Sequence, residues 1–272
     1  MGTLWEFILN QIVIWLESRL SLAPTPHKKA IIVGSNYFGD YTLNGCLNDC
    51  VNIRNLLMGV FGFNDQRIIK IDDNNIKPTK ENITREFTKM LSLANDGDIL
   101  FFHFSGHGFQ IKIDNPREAD GYDEVIITNE GNNSLESIWD NDFKQMISDN
   151  LKSNATLIAL FDSCHSGTVM DLKWEYDTAL GDFVENVNDV EIQMPGNVIM
   201  FASCQESELS ADFYVDYQNQ GILSYEFIKC VRKNPKISLV NLLKQLQTEM
   251  GEKQTPQLLC NSKIDVNKPF LS

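Results

Sequence analysis

Two residues of this 272-residue chain have the type and setting to do covalent chemistry, Cys164 and His107. Cys164 ends the apolar run ATLIALFDSCHSG and His107 ends DILFFHFSGHG. A thiol becomes a nucleophile when a base takes its proton, and imidazole titrates close to neutrality. A cysteine with a histidine distant in sequence is the pattern of Cys-His hydrolases. Gly108, next to the histidine, has no Cβ to obstruct an approaching carbonyl, so its backbone N–H and that of Cys164 could form an oxyanion hole. The other thiols, Cys204, Cys230 and Cys260, read as small core hydrophobes. His103 lies between Phe102 and Phe104 and reads as a core histidine, and His165 is a weaker base candidate than His107. Cys46 and Cys50 with His103 and His107 could evoke zinc, but the cysteine spacing is unusual for it.

These side chains need elements to carry them. Both apolar runs have strand length and break at Ser and Gly, so each reads as a buried parallel strand delivering one residue at its carboxyl end. Further strands are expected at 29–34, 67–72, 197–202 and 256–260, beside those at 98–104 and 156–162. Helical patterns lie at 46–59, 79–94, 140–150, 221–232 and 238–250. Alternation of this kind predicts an α/β fold with a mainly parallel sheet and helices on both faces. In such sheets the site lies beyond the carboxyl ends of the central strands. A helix is expected just after Cys164, its N-terminus favouring the thiolate. Residues 27–272 read as one domain, preceded by an extension over 1–26. Within the extension, Trp5, Ile8, Leu9, Ile12, Trp15 and Leu16 recur at helical spacing. That amphipathic helix over 4–20 is shorter than a membrane span and carries only Arg19 as a cation, so packing on the domain is expected rather than membrane contact.

The net charge of −14 leaves no basic stripe for phosphates, which excludes nucleic acid and favours cationic ligands. Six scattered cysteines are too few for a disulfide scaffold and point to reduced thiols in the cytoplasm. Asp162 stands two residues before Cys164, and Asp49 follows the loop of the first strand. If both line the pocket for the residue preceding the cut bond, a guanidinium or ammonium is the favoured ligand.

The chain resembles the metacaspases, caspase-like cysteine peptidases. The likeness rests on LNGCLNDC at 43–50, HFSGHG at 103–108, DGYDEVI at 120–126, DSCHSG at 162–167, ELSAD at 208–212, GILSYEFI at 221–228 and TPQLLCNS at 255–262, in the family's order. The resemblance implies a three-layer α/β/α sandwich with a mainly parallel six-stranded sheet, a Cys164–His107 dyad and cleavage of protein or peptide substrates after Arg or Lys. It assigns Cys46, Asp49, Ser105 and Asp162 to the specificity pocket. It also implies calcium as activator, held by Asp171, by Asp140 with Asn141, and by one of Asp120, Asp123 and Glu124, of which Asp123 is the choice. The chain departs from the family's consecutive acids in reading Asp-Asn-Asp at 140–142. A second departure is the lack of any Lys or Arg from Trp174 to Ile228, the stretch in which two-chain relatives are cut. An unprocessed monomer switched by calcium is therefore expected, with Arg19, Lys28, Lys29 and Lys173 as the remaining sites for self-cleavage. The rival readings are a non-catalytic homologue that binds partners, and a peptidase of other specificity.

Overall fold

The computed structural model describes residues 26–112, 122–164, 167, 169–186, 193–204, 213–215, 218–251 and 254–271. The 4–20 segment, Asp120, His165 and Arg19 lie outside the described residues.

Alternation of burial builds the central layer. In β1 (Lys28–Gly34) and β3 (Ile99–Ser105), successive side chains enter opposite cores. Ala30, Ile32 and Phe101 join one core, while Ile31, Val33 and Phe102 join the other. A strand buried on both faces must be flanked by helices on both, as the sequence requires of a parallel sheet. The first core is closed by α1 (Cys46–Gly59), α4 (Ile222–Lys233) and α5 (Leu239–Met250). The second is closed by α2 (Lys80–Ser92) and α3 (Asp140–Asn150), where Phe87, Phe102, Phe143 and Phe161 meet edge-on or tilted.

All six expected strands pair in one sheet. Five are parallel, in the order β2 (Ile68–Asp72), β1, β3, β7 (Thr156–Asp162) and β10 (Asn197–Cys204). The sixth, β13 (Thr255–Cys260), runs antiparallel to β10. Two further strands, β8 (Trp174–Asp177) and β9 (Asp182–Glu185), form a hairpin beyond β13 and widen the sheet to eight. They escape sequence reading because four polar-rich residues each carry little periodicity.

A small antiparallel sheet links the two ends of the site. Its strands are β4 (Gly108–Lys112), β5 (Tyr122–Gly131) and β6 (Ser134–Trp139). It begins on the residue after His107 and ends on the residue before α3. A hairpin of β11 (Phe213–Val215) and β12 (Gln218–Gln220) leads directly into α4.

Two of the four candidate self-cleavage residues are locked in this frame. Lys28 and Lys29 pair with Ile99 and Leu100 inside the sheet, and Lys29 also bridges Asp98 at 3.0 Å. Lys173 is half-exposed and bridges Glu185 at 3.2 Å. Among the described residues no helix is long and apolar enough to cross a membrane.

Candidate active site

Parallel register brings the chemistry to one end of the sheet. Ser105, the last residue of β3, pairs with Asp162, the last of β7, and with Gly34 on its other side. Each chain then leaves its strand, one reaching His107 and the other Cys164 two residues later. The two turns are in contact: a Cβ built on Gly108 would lie 2.2 Å from the Cys164 carbonyl oxygen and 3.2 Å from Ser163 Oγ. Only glycine permits that approach, and it sets the backbone beside the histidine against the thiol-bearing turn.

His107 is held from three sides. Its backbone N–H donates to the Tyr37 hydroxyl at 2.9 Å, and that hydroxyl donates to the Ile127 carbonyl at 2.7 Å. The Tyr37 ring lies tilted with its centroid 4.7 Å from that of the imidazole, while Tyr41 meets it edge-on at 6.3 Å and Phe109 stacks at 6.0 Å. Burial raises the Tyr37 phenol well above its usual pKa, so it stays a neutral donor. His107 Nε2 lies 2.8 Å from the Tyr41 carbonyl oxygen. A carbonyl can only accept, so Nε2 carries the hydrogen and the neutral ring keeps its lone pair on Nδ1. Tyr37 is a positioning residue that sequence reading missed; its unusual left-handed backbone, φ 53°, has no signature in the residue type.

Cys164 is buried in a turn just past β7. Among the described residues no helix follows it: 167 and 169–173 are bend, turn and irregular chain, and Asp171 takes a left-handed φ of 47°. The other buried thiols carry no such setting. Burial raises Cys50 and Cys260 strongly and Cys230 to about 11, which keeps them protonated and unreactive.

Beside the thiol, Asp49 and Asp162 converge on Gly221, the residue before α4. A Cβ there would stand 2.1 Å from Asp162 Oδ2 and 3.0 Å from Asp49 Oδ2. Asp49 accepts from the Gly221 N–H at 3.0 and 3.1 Å and from the Ser105 hydroxyl at 2.7 Å. Asp162 accepts from the Ser224 N–H at 2.7 Å. Asp49 stands in the first turn of α1, and its carboxylate also accepts from the N–H that opens α4. His103 is buried and bonds the Ser224 hydroxyl through Nε2 at 3.0 Å, and burial drops its pKa to about 3. It is thus a neutral core histidine, as its flanking phenylalanines indicate. Cys46 is buried in the first turn of α1, three residues before Asp49. The β11–β12 hairpin is tied to the same helix: Asn48 donates to Asn219 O and Asn52 to Gln220 Oε1, both at 2.9 Å. Gly221 and Ser224 escaped sequence reading as site residues because a glycine before a helix looks like an ordinary start signal.

A second group of acids lies at the start of α3. Asp123, Asp140 and Asp171 are all buried, whereas Asn141 is exposed. Asp140 accepts from the Glu124 and Asn141 N–H groups. Burial, then the nearby Asp171 and Asp123, push its pKa up to about 8. Asp142, the alternative acid of the Asp-Asn-Asp run, turns away to cap the Trp139 N–H and bridge Lys80 at 3.2 Å. Hard oxygen donors crowded by like charge suit calcium in kind. They are not closed into a chelate: among the described residues no three His, Cys, Asp or Glu are gathered to hold a metal. A cation is already present, for Lys144 Nζ lies 3.3 Å from Asp171 Oδ2 with both side chains buried. The sequence holds a signal for Lys144: positions 140, 143, 144 and 147 form the buried stripe of α3.

Known proteins place this arrangement. Residues 28–173 match the model of the metacaspase, peptidase C14 domain. The chain is 33% identical to Metacaspase-1 of Candida glabrata, over 91% of this chain and 76% of that one. It is 32% identical to Metacaspase-1 of Kluyveromyces lactis, over 91% and 69%. In fold it is similar to protein GSU0716 from Geobacter sulfurreducens, with a TM-score of 0.67 at 20% identity, covering 91% of this chain and 99% of that one. Caspase-1 from Spodoptera frugiperda superposes with a TM-score of 0.57 at 11% identity, covering 88% and 87%, so its likeness is one of fold. With the family model spanning more than half of the chain and relatives at this identity along most of it, the chain belongs to the metacaspase family of cysteine peptidases.

Proposed function

We propose that this protein is an endopeptidase that cuts after Arg or Lys through a Cys164–His107 dyad, with calcium as activator. The observation that carries the specificity is the convergence of Asp49 and Asp162 on Gly221, with Asp162 two residues before the nucleophile. Two carboxylates held by backbone N–H groups and a hydroxyl favour a guanidinium or ammonium in the space they border. Cys46 and Ser105 complete the pocket in this reading, Ser105 by fixing Asp49.

The chemistry follows from the geometry around His107. The thiol of Cys164 loses its proton to the imidazole lone pair, and sulfur bonds to the scissile carbonyl carbon. The oxyanion is met by the N–H groups of Gly108 and Cys164. His107 then returns the proton to the leaving amine as the C–N bond breaks, giving a thioester that water hydrolyses with the imidazole as base. The Tyr41 carbonyl supports both steps, because it accepts from Nε2 and steadies the imidazolium.

Asp123, Asp140 and Asp171, with Asn141 at their edge, are the residues that would hold calcium. A bound calcium ion would neutralise these acids and so order the loop that carries Asp171. In the same reading the protein works as an unprocessed cytoplasmic monomer, since the stretch from Trp174 to Ile228 offers no basic residue to cut.

The test is hydrolysis of fluorogenic peptides ending in Arg, Lys or Asp, with and without calcium. Cys164→Ala should abolish cleavage. Asp162→Asn should cut kcat/KM for the Arg peptide by about a thousandfold, the cost of an unmet buried charge. Activity surviving in Cys164→Ala would remove the nucleophile assignment, and an Arg preference surviving in Asp162→Asn would remove the pocket.

A further inference from the structure

Lys144 is a buried ammonium that the cleavage chemistry does not use. It projects from α3 in the same stripe as Asp140, one helical turn further on, and meets Asp171 at 3.3 Å across 27 residues of sequence. Side-chain exposure is 4% for the lysine and 3% for the aspartate. An ammonium removed from water to that degree is costly unless a carboxylate answers it, so the lysine requires this contact. Asp171 sits in left-handed backbone seven residues past Cys164, a conformation that a non-glycine residue keeps only where its surroundings hold it. The ion pair is thus a strap from a rigid helix to the loop that follows the nucleophile. It also supplies positive charge to an acid group whose members crowd one another.

We infer that Lys144 is the resident cation of the Asp123–Asp140–Asp171 group: it holds the post-nucleophile loop when no metal is bound, and a divalent cation must displace its ammonium from Asp171 to bind. The identity of that cation rests on the calcium reading above, whereas the strap itself does not. A single positive charge beside a ligand oxygen opposes an incoming divalent ion and surrenders its own ion pair when it leaves. Calcium affinity is therefore set below what three buried carboxylates would otherwise reach, and the response is shifted to higher calcium.

The experiment uses the full chain carrying Cys164→Ala, compared with the same protein bearing Lys144→Met or Lys144→Arg. Lys144→Gln replaces the methionine variant should that one not fold. Thermal melting without metal and calcium titration calorimetry are read for each. Lys144→Met should melt several degrees lower without metal and bind calcium about tenfold tighter or more, while Lys144→Arg keeps the parent's behaviour. Calcium binding by the parent and by Lys144→Met with equal affinity would overturn the inference and leave the calcium reading standing. Binding by Lys144→Met alone would support the inference and remove the calcium reading for the natural chain. Binding by neither would overturn both.

Discussion

Two buried groups of carboxylates border the nucleophile's loop, one joined to it through Asp162 just before Cys164 and the other through Asp171 just after it, and they are stabilised by different means. Asp49 and Asp162 rest on the N–H groups that open α4 and on the Ser105 hydroxyl. In the second group Asp140 also accepts from backbone N–H groups, but Asp171 is answered by the ammonium of Lys144. Backbone donors favour the charged form without bringing a countercharge that could move away. The first group is therefore fixed in place and suited to receive a cationic side chain, while the second holds an exchangeable ion. The difference between the two groups lies in Asp171, the carboxylate answered by a side-chain cation rather than by backbone alone.

The sharpest way to break that contrast is at Gly221. Its φ of −70° and ψ of 140° are open to any residue, so only the close approach of the two carboxylates requires glycine. Gly221→Ala should displace Asp162 and lower kcat/KM for an Arg peptide by about a hundredfold, roughly 3 kcal/mol, with KM carrying most of the change. Calcium binding should be unmoved. Steady-state kinetics beside calorimetry decides it, and an unaltered KM would show that the acids do not form the pocket.

The frame behind the first group has a pH signature. His103 anchors Ser224, whose N–H holds Asp162, and burial takes this imidazole from 6.5 to about 3. The folded value lies below the unfolded one, so the stability is whole above pH 6.5 and is lost as pH falls toward 3. Between pH 7 and pH 5 the loss amounts to about 2 kcal/mol. Urea unfolding at both values should show a change about 2 kcal/mol less favourable to folding in the parent than in His103→Gln, a difference in which the opposing contribution of Asp140 cancels. Equal changes in unfolding free energy in the two proteins would mean that the histidine takes up its proton in the folded state.

Legibility in the sequence followed burial. The six core strands of the main sheet and the five helices announce themselves because residues covered on one or two faces must repeat with the period of the element. DILFFHF and TLIALFD are read almost to the residue, and with them the placement of His107 and Cys164 at one sheet end. The β4–β6 sheet and the β8–β9 hairpin were not legible, since short strands with polar faces leave no such repeat. The partnerships were the least visible: Tyr37 under His107, Gly221 between two acids and Lys144 on Asp171 join residues 70, 172 and 27 positions apart. Sequence spacing reports which face of an element is covered but not what covers it.

The smallest change tests whether the first group depends on its hydroxyl donor. Ser105 is buried at the end of β3, and its Oγ–H reaches Asp49 Oδ2 at 2.7 Å. Asp49 keeps the two contacts to the Gly221 N–H when that hydroxyl is removed, so the carboxylate stays in place but loses one charge-assisted bond. Such a bond contributes about 1.5 kcal/mol. Ser105→Ala should therefore reduce kcat/KM for Arg and Lys peptides about tenfold while leaving the order of preference and the calcium response intact. A loss as large as that expected for Gly221→Ala would instead mean that Ser105 contacts the substrate itself. In that case the pocket would recognise its ligand through a hydroxyl as well as through charge, and the contrast between a fixed and an exchangeable acidic group would have to be redrawn around Ser105.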